Sequence, residues 1–168
     1  GVIGAAAAGA FASKREVRRW SVVGALGGLA PDLDVLIRSE SDPLLFLEYH
    51  RHFTHSLFFI PFGAVVVALV LSLLRPQHYR FGDVFAPVFI GYATHGLLDA
   101  CTSYGTFLFW PLRSDRVAWN SISIVDPLFT GCLVLGLVLT LFLKNQSWLR
   151  AASLVAALYL AFGFVQHG

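Results

Sequence analysis

The chain has no methionine and only two cysteines, and charged residues make up just 13% of its 168 positions. Each shortage excludes something. Cys101 and Cys132 form neither a disulfide framework nor the paired spacing of a thiolate metal site, so a buried apolar role is expected for both. Any bound metal must then be held by nitrogen and oxygen. Soluble domains carry about 25% charge. The deficit, with 57% hydrophobic residues and a mean hydropathy of +0.69, predicts an integral membrane protein. There is no low-complexity tail, no internal repeat and no signal-peptide cleavage pattern. No basic stripe with interleaved aromatics is present either, which argues against nucleic acid as a partner. The chain opens inside an apolar segment, so its native start is expected to lie upstream, and its last residues likewise read as a cut end.

What is present is a series of six apolar segments: residues 1–12, 20–30, 53–74, 81–99, 126–143 and 148–165. They predict an all-α fold, a single domain over 1–168 built as a polytopic transmembrane bundle of about five to six membrane segments. Pro31 stops the second segment, Arg75-Pro76 ends the third, and Pro127 suits a first helical turn. The first two segments are short for a crossing and are expected to form a tilted pair, or the first has lost its beginning. Residues 100–123, too short and broken to cross, predict a re-entrant or interfacial loop. Such a loop suits a lid or a substrate groove.

If every segment crosses, the connections alternate sides. One side receives Lys14, Arg15, Arg18, Arg19, Arg75, Arg80, Lys144 and Arg150; the other receives Arg38, Arg51, Arg113 and Arg116. The first is then cytoplasmic by the positive-inside rule. The opposite side collects Asp32, Asp34, Glu40, Asp42, Glu48, Asp99, Asp115, Asp126 and most of the histidines.

Four polar clusters interrupt the apolar sequence on that outer side. Ionisable groups near hydrocarbon tend to be paired, metal-bound or functional. Asp32 and Asp34 follow Pro31, and in an extended turn residues two apart point the same way and chelate one ion; helix capping is the ordinary alternative. His50, His52 and His55 fall within six residues, ahead of an apolar run, with Arg51, Thr54 and Ser56 between or beside them. This is the strongest of the clusters, since packing hardly explains three imidazoles so close together; an interfacial polar belt is the alternative. His95 and Asp99, four apart, share a helix face. Both ligate a metal, or Asp99 orients His95, or they are simply a hydrogen-bonded pair at a helix end. Asp126 before Pro127 reads as a helix cap. His78 and His167 read as surface residues. Together the clusters suit Zn²⁺, Mn²⁺ or Fe²⁺, with enough ligands for two or three ions.

These same residues carry a family resemblance. Pro31-Asp32-Leu33-Asp34, His50-Arg51-His52-Phe53-Thr54-His55-Ser56, His95 with Asp99, Thr102-Ser103-Tyr104-Gly105-Thr106 and Asp126-Pro127 together resemble the YdjM-type family of bacterial inner-membrane proteins, described as predicted membrane-bound metal-dependent hydrolases. The resemblance implies metal-ligand roles for Asp32, Asp34, His50, His55, His95 and Asp99. His52 stands at a variable position and is held back. The family is distantly similar to zinc-dependent phospholipase C and its nuclease relatives, which implies phosphoester hydrolysis.

The leading expectation is therefore a multi-pass inner-membrane hydrolase with its site facing the periplasm, using two or three zinc ions, or manganese or iron. Asp34 or Asp99 would act as general base. Arg51, Arg113 and Arg116 would bind an anionic headgroup, and the loop bearing Thr102, Ser103 and Tyr104 would shape the entrance. The expected partners are membrane lipids and a lipid or lipid-linked substrate. A metal-binding transporter and a non-catalytic subunit with a structural metal are the alternatives.

Overall fold

In a computed structural model, which describes residues 1–37, 42 and 49–167, the described residues include six α-helices joined by turns. These are α1 (Val2–Phe11), α2 (Val17–Gly27), α3 (Ile60–Leu74), α4 (Phe81–Ala100), α5 (Pro127–Leu143) and α6 (Ser147–His167). Two 3-10 turns, Pro31–Leu36 and Phe53–His55, lie between α2 and α3. Among the described residues there is no strand, only an isolated antiparallel bridge between Thr106 and Val117. Arg38, Glu40 and Glu48 lie outside the described residues.

The short first segment occupies the centre of the bundle, where α1 packs against α2, α4, α5 and α6. Its small residues explain the placement. A Cβ on Gly4 would lie 2.5 Å from the carbonyl oxygen of Gly24, and one on Gly91 would collide with the same oxygen. Backbone therefore meets backbone where α1, α2 and α4 cross, the close approach that small residues permit in membrane helix bundles. Two apolar clusters flank α1. Ala6, Val17, Ile122, Phe129, Leu133 and Leu149 join it to α5 and α6. Val23, Ala64, Ala68, Val84 and Val88 join α2, α3 and α4.

The helix turns gather at one pole. Arg19 pairs with Asp83 at 3.2 Å, tying the α1–α2 turn to the start of α4. Gln146, just ahead of α6, donates from Nε2 to the carbonyl oxygens of Gly9 and Ala12 at 2.9 and 2.7 Å, and Arg150 donates to that of Ala10. These side chains satisfy carbonyls that the end of α1 leaves without intrahelical partners. All eight cations assigned above to the cytoplasmic side lie in or beside these turns. The 3-10 turns, the end of α4 and the loop before α5 form the opposite pole.

The expectation of five to six crossings is coarser in outcome. Among the described residues one helix, Ser147–Gln166, is long and apolar enough to cross a membrane; Val2–Phe11, Ile60–Leu74 and Pro127–Leu143 are apolar but shorter. At about 1.5 Å per residue, the 15 residues of α3 span roughly 22 Å, against a hydrocarbon core of about 30 Å. The third segment shortens because residues 53–59 leave the helix to build the site, and Pro61 suits only a first turn. The flanks of α3, α5 and α6 nevertheless expose large apolar side chains in rows, among them Phe62, Val66, Leu69 and Leu73 on α3 and Leu154, Leu158, Phe162 and Val165 on α6. Apolar surface of this extent suits lipid rather than water.

Candidate metal centre

The 3-10 turn after Pro31 decides how the two aspartates divide their work. At three residues per turn, side chains rotate by about 120° per position, so Asp32 and Asp34 diverge. The shared direction expected of an extended turn is not what forms. Asp32 points to His55 and His95, with Oδ1 3.8 and 3.2 Å from their Nε2 atoms. Asp34 lies behind His55. Its Oδ2 accepts from the Arg51 backbone N–H at 2.8 Å and from the Thr54 hydroxyl at 3.1 Å, and its Oδ1 lies 3.1 Å from His50 Nδ1.

That buried arrangement sets the tautomer of His55. Thr54 has one hydroxyl proton and gives it to Asp34. The 2.9 Å contact between Thr54 Oγ1 and His55 Nδ1 therefore needs the proton on Nδ1. In the neutral ring Nε2 is then left with its lone pair, facing the group. Asp34 Oδ2, 3.5 Å from Nδ1, supports the same tautomer, as carboxylates behind ligating histidines do. His95 and Asp99 share a face of α4, with Nε2 and Oδ2 3.3 Å apart, and Asp99 Oδ2 lies 3.2 Å from His55 Nε2.

One atom from each of Asp32, His55, His95 and Asp99 thus lies within 4.8 Å of the other three. Tetrahedral coordination with bonds of roughly 2.0–2.1 Å has ligand–ligand edges of about 3.3 Å, and the four nitrogen–oxygen separations run from 3.2 to 3.8 Å. His55 Nε2, His95 Nε2 and Asp99 Oδ2 are buried with no hydrogen-bond partner. Buried polar atoms are normally satisfied, so three orphans converging on one point fit a cation held there. Two imidazoles and two carboxylates suit zinc, manganese or iron(II). Among the described residues no second group of this kind forms.

Burial would raise the Asp32 carboxyl, but the imidazoles of His55 and His95 facing it outweigh burial and hold the group far below the usual carboxylate range. Burial would lower the His55 imidazole, but the carboxylates of Asp32 and Asp99 facing it outweigh that and raise it.

The structure therefore brings together four of the six residues the resemblance implied as ligands. Asp34 and His50 stand one layer behind. His52 packs among aromatic rings, with centroids 4.5 Å from Phe107 and 5.9 Å from Trp110. Arg51 faces the centre, its Nε 3.3 Å from Asp99 Oδ2. Its backbone is left-handed (φ 58°), a conformation costing roughly 1–2 kcal/mol for a residue with a Cβ. That cost is offset because its N–H reaches Asp34 while its carbonyl accepts from Thr106 Oγ1 and Phe107 N at 2.9 and 3.3 Å. These bonds draw the loop over the site, where Gly105, also left-handed (φ 67°), leaves no room for a Cβ against Val117.

Of the proposed entrance residues, Tyr104 stacks with Arg51 and Arg116. Thr102 is buried and donates to the Asp99 carbonyl at 2.8 Å, where it caps the end of α4. Ser103 borders a separate cavity of about 390 Å³ with Asp126 and Tyr159. Arg113 is exposed and pairs with Asp115 at 2.9 Å. Asp126 caps α5, accepting from Phe129 N at 2.8 Å. Thr106 stands in the motif that carries the resemblance but is given no role there; it is fully buried, with its hydroxyl on the Arg51 carbonyl.

A model of the YdjM inner membrane protein family matches residues 1–168. The chain belongs to that family. A Bacillus subtilis (strain 168) protein named "Uncharacterized protein YfhP" is similar to this chain, 29% identical over 101 residues that cover 60% of the chain and 30% of that protein. The chain thus spans under a third of that relative's length. No solved structure matches, and neither match extends to the phospholipase C group. The family's name supports an inner-membrane location, and the Asp32–His55–His95–Asp99 group lies at the pole opposite the cationic turns.

Proposed function

We propose that this chain is a membrane-bound metal-dependent hydrolase that acts on a phosphoester of a lipid or lipid-linked substrate at the periplasmic membrane face. The observation that carries this reading is the convergence of four ligand atoms, three of them buried orphans, at the pole away from the cationic turns. Asp32, His55, His95 and Asp99 would hold the ion. When bound, a divalent cation supplies Lewis acidity, polarising a phosphoryl oxygen and easing deprotonation of water.

The chain's own groups do the rest. Asp34 and Thr54 hold the His55 ring in one tautomer. Both Asp34 oxygens already face donors, so the base expected at Asp34 or Asp99 is assigned to Asp99. Asp32, with 40% of its side chain exposed against 9% for Asp99, passes the proton to solvent. Arg51 meets the anionic substrate beside the centre.

The burial of three of the four candidate ligand atoms favours a structural metal as the second reading. One experiment separates the two: metal content of the detergent-solubilised protein by mass spectrometry, beside phosphate release from phosphatidic acid and lipid pyrophosphates. One equivalent of metal with turnover, both lost in a His55→Ala/His95→Ala variant, supports the hydrolase. One equivalent without turnover favours the structural metal. No metal at all sinks both.

A further inference from the structure

The ring of Tyr104 carries two guanidiniums. Arg51 Cζ lies 5.1 Å and Arg116 Cζ 4.7 Å from its centroid. Arg116 also stacks 4.8 Å from the centroid of Phe107 and donates from Nη2 to the His50 carbonyl at 3.1 Å. Cation–π contact with one ring attracts each cation, but it also crowds two like charges. Their counter-charge is incomplete. Arg51 faces Asp99. Among the described residues no carboxylate lies within ion-pair reach of Arg116. Arg51 Nη1 and Arg116 Nη1 are buried without hydrogen-bond partners. A buried charged donor left unmatched is costly, and here two such donors stand on either partner of one ring, beside the centre rather than on the outer surface.

The surroundings say what would complete them. Both donors are guanidiniums, whose planar forks match the paired oxygens of phosphate. The ring and the left-handed Arg51 backbone hold the pair in place before any ligand arrives. Among the described residues, a divalent cation on the four candidate ligands and the two guanidiniums set four positive charges beside three aspartates, an excess of positive charge. That excess favours an oxyanion bearing more than one negative charge over a monoanion.

We propose that Arg51 and Arg116, paired on Tyr104 beside the Asp32–His55–His95–Asp99 group, form a recognition site for a phosphoryl dianion. The proposal rests on the hydrolase reading for its substrate class. It narrows that class to terminal phosphates, as in a lipid phosphomonoester, over phosphodiesters. Arg113, engaged with Asp115, takes no part.

Binding, not turnover, tests it. Inorganic phosphate is titrated calorimetrically into the solubilised protein, both zinc-loaded and metal-stripped. A parallel arm uses mixed micelles containing phosphatidic acid or, as the diester control, phosphatidylcholine. Wild type is compared with Arg116→Gln and Arg116→Lys, with zinc content measured for each. The expected result is phosphate binding that weakens roughly tenfold or more in Arg116→Gln, as for loss of a charge-assisted hydrogen bond. Arg116→Lys recovers part of it, zinc content is unchanged, and weaker phosphate binding persists in the stripped protein. Preference for phosphatidic acid micelles over free phosphate identifies the lipid as the source; equal affinity identifies the free anion. Equal phosphate affinity in wild type and both variants overturns the site, as does binding that vanishes with the metal and ignores Arg116. Arginine-dependent phosphate binding without hydrolysis of any substrate would leave the site standing while the hydrolase reading failed.

Discussion

Replacing Asp34 with Asn tests whether this residue is a ligand or the support of one. Its carboxylate receives the Arg51 N–H at 2.8 Å, the Thr54 hydroxyl at 3.1 Å and His50 Nδ1 at 3.1 Å, and it takes no part in the four-atom group. Asn keeps the shape but removes the charge and turns one acceptor into an NH₂, which meets either His50 Nδ1 or the Arg51 and Thr54 donors. In either orientation His55 Nδ1 loses the carboxylate that stands 3.5 Å behind it and supports its tautomer. Groups behind metal ligands typically contribute 10–100-fold to affinity, or about 1.4–2.7 kcal/mol. Asp34→Asn should therefore weaken zinc by that factor, with stoichiometry kept at one. His55→Ala should abolish binding. The assay is competition against a chromophoric chelator in detergent, with bound zinc counted by mass spectrometry. Unchanged affinity would refute the supporting role. Loss of binding as complete as in His55→Ala would make Asp34 a direct ligand after all.

Three further outcomes follow from the same geometry. Zinc affinity should climb with pH: metal requires a neutral His55, whose folded pKa lies above its usual value, so protons compete through and beyond pH 6.5; an affinity flat from pH 5.5 to pH 8.5 in chelator competition would contradict this. Gln146→Ala should lower stability by roughly 1–3 kcal/mol, because it strands buried carbonyls at the end of α1, read as a fall in the unfolding midpoint in detergent with zinc content intact. A cysteine placed at Asp115 in intact cells should react with a membrane-impermeant maleimide from the periplasm, while one at Asn145 reacts only after permeabilisation; the reverse pattern would invert the proposed orientation.

Much of the site was legible in the chain because its evidence is local. His95 and Asp99 repeat at helical spacing, so a helix of any tertiary setting puts them on one face. His55 belongs to a histidine cluster that packing hardly explains, and the fold places it in the four-residue group. The six apolar segments, the prolines that end them and the side on which the cations fall are equally local, and six α-helices with their turns at one pole follow from them. Family membership was readable for the same reason: the motifs are short and occur in order.

What required the fold was the division of labour among chemically equivalent residues. Asp32 and Asp34 are indistinguishable by type, and only the 3-10 backbone, by turning residues two apart away from each other, puts one in the four-residue group and the other behind it. His50 and His52 stand outside that group for a similar reason, one drawn to Asp34 and the other packed among aromatic rings. Arg113 and Arg116 differ only in what the loop places beside them, a carboxylate for the first and two aromatic rings for the second. The length of α3 was also settled late, because residues 53–59 gain more as the scaffold of His55 than as a helical turn. Hydropathy measures a residue's preference for lipid; it holds no information on which long-range polar partner competes for the same backbone.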